Sequence, residues 1–253
     1  MQIDALVIAG GYNNDKLQKC SEVAKEALIP IGDKVMVEYV VNALEHTPGI
    51  NKIVVVGPIE LKNIFADKKH LLVAEEGKTA IDSVINGLEL LKPQGRLLIL
   101  TADIPLINPT AITGFLEACQ EKDIDIYYPI VPKEVNEAKY PGIERTYVTI
   151  KDGTFTGGNA FFVNPKIVKK CAEKGKKLVK LRKSPLALSS LIGWTFILKL
   201  VSKRLTLKEA EEKFSGLLDV KARAVISPYP EIGIDVDKPS DLQLVKKVIL
   251  GVL

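Results

Sequence analysis

The sequence predicts an α/β protein with a mostly parallel, mixed sheet sandwiched by helices. Three observations carry that prediction. Residues 5–9 form a continuous apolar run, as a strand covered on both faces requires. Such runs alternate with stretches of helical spacing through the first half of the chain. Two of the runs end in loops suited to ligands, one in Gly10-Gly11 and one in Thr101-Ala102-Asp103.

Taken in order, residues 35–44 have helical spacing, and 52–56 are rich in Ile and Val before stopping at Gly57-Pro58. Residues 71–74 make a short third strand. Ile81, Val84, Ile85, Leu88 and Leu91 fall at helical offsets within 79–91. A strong strand over 96–100 precedes a helix over 109–121 that carries proline in its first turn. The second half is less regular. Residues 124–132 and 147–150 read as strands, Lys151-Asp152-Gly153 as a turn, and 165–174 and 207–218 as helices. The lysines crowded between 166 and 183 read as a solvated helix face. No repeat or long linker divides the chain, so we expect a single domain over 1–253 with a helical insertion at about 186–218.

Composition narrows the function. A chain of 253 residues, 47% hydrophobic and 26% charged, can bury a substantial core. The net charge of +4 is too small to argue for nucleic acid and suits a modest basic cleft for phosphates. Cys20, Cys119 and Cys171 stand far apart, and His46 and His70 are the only histidines, which argues against zinc. The odd cysteine count and the lack of a basic leader before the first strand lead us to expect a cytoplasmic protein. The uncharged run over 186–198 is shorter than the roughly 20 residues of a spanning helix. It contains Ser189, Ser190 and Gly193, and reads as a core or interface helix rather than a membrane contact.

Four features carry chemistry. Ala9-Gly10-Gly11 follows the first strand, where glycines let backbone amides approach a nucleotide; a plain turn is the alternative. The loop is neither a dinucleotide fingerprint nor a Walker loop. Asp103 lies just past a buried strand, where open α/β sheets bind ligands, and reads as a metal ligand rather than a turn aspartate. Thr156-Gly157-Gly158-Asn159 can wrap the polar edge of a small substrate or make a tight hairpin. Asp235 and Asp237 lie two apart, so on extended chain they point the same way. Asp241 can cap the last helix, whereas Asp235 reads as a second metal ligand.

In sequence order these features resemble the nucleotidyltransferases of the MobA-like and sugar-phosphate type, over nearly the whole chain. The carriers are Ala9-Gly10-Gly11, Ala27-Leu28-Ile29-Pro30-Ile31-Gly32 with Lys34 to Val40, Asp82-Ser83-Val84-Ile85-Asn86-Gly87-Leu88, Thr101 to Leu106, and Asp235 to Leu242. The resemblance implies a Rossmann-like, GT-A-like fold. It also implies a reaction in which an acceptor phosphate oxygen attacks the α-phosphorus of a nucleoside triphosphate and pyrophosphate leaves. By the same analogy Asp103 and Asp235 hold Mg2+. Ala9, Gly10 and Gly11 cradle the nucleotide, Ser83 lies near the base, and Thr156, Gly157, Gly158 and Asn159 face a small phosphorylated acceptor.

The cations depart from the pattern. The family places an arginine where this chain has Asp15, beside Lys16, and a lysine where it has Glu26, beside Lys25. Lys16 and Lys25 are therefore the candidate catalytic cations, and Lys19 a further candidate for the triphosphate; each has a solvated surface lysine as its alternative. Two other functions stay open: a nucleotide-sugar glycosyltransferase of related fold, and a nucleotide-binding regulatory protein without catalysis. The segment 186–218 matches none of the blocks. Covering the acceptor, forming a homodimer and touching a membrane surface are the roles open to it.

Overall fold

The apolar runs become buried strands of a nine-stranded sheet in the computed structural model, which describes residues 2–181 and 191–251, without the side chains of 178, 179 and 181. The strands are β1 (Ile3–Ile8), β2 (Pro30–Ile31), β3 (Lys34–Val35), β4 (Ile50–Gly57), β5 (Leu71–Glu75), β6 (Leu97–Thr101), β7 (Ile126–Pro132), β8 (Val148–Ile150), β9 (Gly153–Gly157), β10 (Ala160–Val163) and β11 (Ala222–Ile226). The helices are α1 (Met36–Glu45), α2 (Leu61–Ile64), α3 (Ala80–Leu91), α4 (Pro109–Ala118), α5 (Lys133–Lys139), α6 (Pro165–Leu181), α7 (Trp194–Val201), α8 (Leu207–Leu218) and α9 (Pro239–Ile249). Strands β2 and β3 form a separate small hairpin.

One half of the large sheet is parallel, in the order β5-β4-β1-β6. Alternation along β1 serves two cores. Ala5 and Val7 pack with Val37, Val40, Ala111 and Phe115 from α1 and α4. Leu6 packs on the opposite face with Val84, Leu88 and Leu91 from α3. Helices thus cover both faces, as the continuous apolar strands require. Gly87 allows α3 to lie this close, because a Cβ there would stand 2.2 Å from a Leu6 methyl carbon. Thr79 caps α3 by accepting from the Asp82 amide, and Asn108 caps α4 by accepting from the Ala111 amide.

The other half is mixed. Strand β10 runs antiparallel to β6 and β7, while β9 and β8 continue the antiparallel pairing. Strand β11 returns parallel to β7. Only β9 and β10 therefore run against the other strands, and the sheet is mixed and mostly parallel, as the sequence predicts. Strands β9 and β10 follow one another through Gly158 and Asn159, run in the same direction and both pair antiparallel to β7, so together they oppose the rest of the sheet.

Lysines of α6 face outward in ion pairs with Glu89, Asp219 and Asp82; the cluster's residues 182 and 183 lie outside the described residues. Residues 186–190 of the uncharged run also lie outside them. Of the core or interface helix read for that run, the remainder is only partly core. It forms α7, which packs Phe196 and Leu200 against Ile150, Phe155 and Leu205 but leaves its opposite face in solvent.

Candidate active site

The register of β1 with β6 builds the site. Ile8 pairs with Thr101, so Gly10 and Asp103 emerge side by side, each two residues past the paired carboxyl ends. The chain progresses from β1 to β4 and β5 on one side and to β6 on the other. The crevice between β1 and β6 is therefore the topological switch point, where open α/β sheets take ligands.

On one wall is the glycine loop. The Glu26 amide donates to the Gly11 carbonyl at 3.1 Å and the Asn13 amide to the Ala24 carbonyl at 2.9 Å, which pins the loop to residues 24–26. Lys25 is buried within it. Its Nζ donates to the Gly10 carbonyl at 3.0 Å, pairs with the Glu76 carboxylate, and lies 3.4 Å from the centre of the Tyr12 ring. Gly10 has to be glycine here, since a Cβ would come within 2.7 Å of Glu76 Oε2. Glu26, one residue on, turns away from Lys25 and accepts from the Asn14 amide nitrogen at 3.0 Å. The lysine meets the Gly10 carbonyl, while the Glu26 carboxylate lies beside Gly11, 3.2 Å from where a Cβ would stand. Lys25 has extended backbone and Glu26 starts a 3-10 turn, so the two side chains diverge. Lys16 and Lys19 stay exposed on the outer loop, away from this contact.

The opposite wall is acidic. Oxygens of Asp103, Asp235 and Asp237 lie within 4.8 Å of one another. Ile234 and Val236 are fully buried on either side of Asp235, so the extended segment turns both of its aspartates to the crevice. The Val236 amide donates to the Asp103 carbonyl at 2.9 Å and fixes the two strands of chain together. Asp103 accepts from the Thr101 hydroxyl and, at 3.5 Å, from Asn159 Nδ2. Burial above all, then Asp235, Asp237 and Glu26, push the Asp103 carboxyl up to about 7, against the pull of the Thr101 hydrogen bond. Glu26 is also raised, by burial first and by Asp237 and Asp235, with its Asn14 hydrogen bond opposing. Four carboxylates crowd one corner, where Arg145 pairs with Asp235. An oxygen-only donor set fits magnesium in its ligand chemistry.

The remaining sequence candidates divide. Asn159 reaches the acidic corner, and its amide donates to the Ile232 carbonyl at 2.8 Å. Thr156 is buried on β9, and the Gly158 amide is used by the Pro129 carbonyl at 2.9 Å. Ser83 is buried and accepts from the Gly77 amide at 2.9 Å; it shapes the loop after β5 that carries Glu76.

The family model of the MobA-like NTP transferase domain matches residues 5–189. The chain belongs to the MobA-like NTP transferase family. It is an enzyme of the nucleotidyltransferase kind, which decides against the glycosyltransferase and non-catalytic alternatives. Among solved structures, a hypothetical transferase from Thermus thermophilus is 36% identical, with a TM-score of 0.84 over 96% of this chain and 100% of its own. A 4-diphosphocytidyl-2C-methyl-D-erythritol synthase from Anaerococcus prevotii shares the fold at 12% identity, with a TM-score of 0.62 over 98% and 96% of the two chains. A CMP:2-keto-3-deoxy-manno-octonic acid synthetase complexed with CTP does so at 13% identity, with a TM-score of 0.61 over the full length of both. No curated protein matches this chain in sequence. Among the described residues no helix is long and apolar enough to cross a membrane.

Three contributors to this MobA-like site escape local motifs. Arg145 lies 90 positions from Asp235, Glu76 lies 51 from Lys25, and Asn14 reaches 223 positions to the Asp237 carbonyl. Asp237 was visible as a neighbour of Asp235, and its two-residue spacing was the signal that could have added it to the metal set.

Proposed function

We propose that the chain transfers a nucleoside monophosphate from a nucleoside triphosphate to a small phosphorylated acceptor, with magnesium, releasing pyrophosphate. The observation that carries this reading is the convergence of Asp103, Asp235 and Asp237 across the switch-point crevice from Gly10, Gly11 and Lys25. In the transfer an acceptor phosphate oxygen forms a bond to the α-phosphorus while the bond to the β-phosphate oxygen breaks. Asp103 and Asp235, joined by Asp237, would hold the metal. Magnesium supplies neutralisation of the charge on the triphosphate and on the departing pyrophosphate. The Ala9 amide is used by the Val56 carbonyl, so the Gly10 and Gly11 amides are the ones that donate to phosphate oxygens, and Lys25 adds a point charge beside them. Lys16 and Lys19, on the outer loop, meet the far end of the triphosphate. Ser83 keeps the loop next to the base in shape, and Asn159 orients the acceptor against Asp103. The catalyst positions and neutralises; the chemistry requires no covalent enzyme intermediate.

The site draws on residues 10–26 and on 235–241, which supports one transferase domain over 1–253, with 186–218 as an insertion. The three cysteines among the described residues are free, in keeping with a cytoplasmic enzyme. The test is a thermal-shift screen of the four NTPs with and without magnesium, followed by pyrophosphate release with a panel of phosphorylated acceptors. One NTP is expected to raise the melting temperature only with magnesium and to turn over with an acceptor. NTP binding that ignores magnesium, or no NTP binding by calorimetry, overturns the proposal.

A further inference from the structure

Helix α7 is apolar on two opposed sides, and only one has a partner. Phe196 and Leu200 pack inward with Ile150, Phe155, Leu205 and Leu207. Trp194, Leu198 and Val201 follow the i, i+4, i+7 spacing of a single helical stripe. They are 67%, 66% and 77% exposed. Thr195 and Lys199 take a third, polar side of the helix, so the outer stripe stands as an exposed apolar patch, the mark of an interaction surface.

Charge identifies it. From Gly193 to Lys208 the chain carries four cations, Lys199, Lys203, Arg204 and Lys208, and no carboxylate. Lys199 is paired with Glu209, whereas Lys203, Arg204 and Lys208 have no ion pair among the described residues. A second copy meeting this face about a two-fold axis would set unpaired cations against one another. An anionic lipid surface answers both features. Tryptophan and aliphatic side chains enter the headgroup boundary, and lysine and arginine stems lie along it with their charges on lipid phosphates. At eight residues and about 12 Å, α7 lies in such a boundary and does not span it.

We infer that the Trp194–Leu198–Val201 stripe with Lys203 and Arg204 is a docking face for anionic bilayers, which makes this transferase a peripheral membrane enzyme. The face sits on β8 and β9, over the outward side of the strand that leads into Gly158 and Asn159. Docking would hold that edge of the crevice beside the lipid.

Trp194 is the chain's single tryptophan and reports directly on the face. The full chain is mixed with vesicles of neutral phosphatidylcholine, and with vesicles containing phosphatidylglycerol, at low and high salt. The expected result is co-sedimentation and a blue shift of Trp194 emission with the anionic vesicles alone, both reversed by salt. Lys203→Glu with Arg204→Glu should weaken vesicle binding roughly tenfold or more. Leu198→Glu should abolish the blue shift while leaving the circular dichroism and melting temperature unchanged, because the side chain is exposed. No binding to anionic vesicles at low salt overturns the inference. So does a Trp194 shift that follows protein concentration without lipid, which would assign the face to self-association. The readout needs no turnover, so its failure is separate from any failure of the proposed reaction.

Discussion

Strands β5, β4, β1 and β6 run parallel with helices over both faces, whereas β10, β7, β9 and β8 alternate in direction and carry a partly exposed helix on their flank. The two halves also build their parts of the crevice differently. In the parallel half the ligand groups come from the residues that follow a strand, as Gly10 follows β1 and Glu76 follows β5. In the mixed half they come from distant loops: Arg145 meets Asp235, and Asn159 meets Asp103. Under the proposed function, the nucleotide side is built at strand ends and the acceptor side by remote segments docked against them.

Asp103 stands at the seam, two residues past β6, which pairs with β1 on one side and β10 on the other. Asp103→Asn should cost the most, lowering kcat by roughly 10²–10³-fold. Its melting temperature without metal should hold or rise, because a crowded carboxylate is gone. A large drop in melting temperature would make Asp103 a structural group and erase the contrast. Next comes Lys25→Met in the parallel half, expected to weaken NTP binding by about 10–100-fold, as loss of one charged hydrogen bond does. Calorimetry should find that loss whichever acceptor is present; an effect confined to one acceptor would move Lys25 to the other side of the comparison.

A third test uses pH. Asp103 holds its proton to about 7 in the folded chain, against an ordinary 3.8. Without a cation its contribution to stability is present in full below 3.8 and is lost as pH rises through about 7. Magnesium competes with that proton. Its apparent affinity, read from thermal shifts between pH 5.5 and 8, should therefore climb by up to about tenfold per pH unit and level off above the Asp103 value. A flat profile would remove Asp103 from the metal set. The smallest effect belongs to the mixed half. Asn159→Ala should lower kcat/KM for the acceptor by about 2–10-fold, the range of one neutral hydrogen bond, with NTP affinity unchanged.

The parallel half was readable because its signals are local. A strand buried on both faces must be apolar throughout, and the residue after it stands at the crevice, so 5–9 followed by Gly10 and 96–100 followed by Asp103 were enough. The lysine register was not readable. Whether residue 25 or 26 meets the Gly10 carbonyl depends on where a 3-10 turn begins, and no periodicity marks that point. The reversal past β6 was hidden as well, because Thr156 to Asn159 looked like a ligand loop when much of it is strand and ladder contact. Arg145 had no motif at all; only the folded chain brings it to Asp235.

Asn14 ties the glycine loop to the acidic loop through Glu26 and the Asp237 carbonyl at 3.1 Å. A chain growing from the ribosome makes its parallel strands early and can begin to pack them. The acidic wall holds Asp103 alone until residues 235–241 have also emerged, more than two hundred positions after Asn14. A nascent chain can thus hold a nearly finished sheet and still lack two of the three aspartates of that wall.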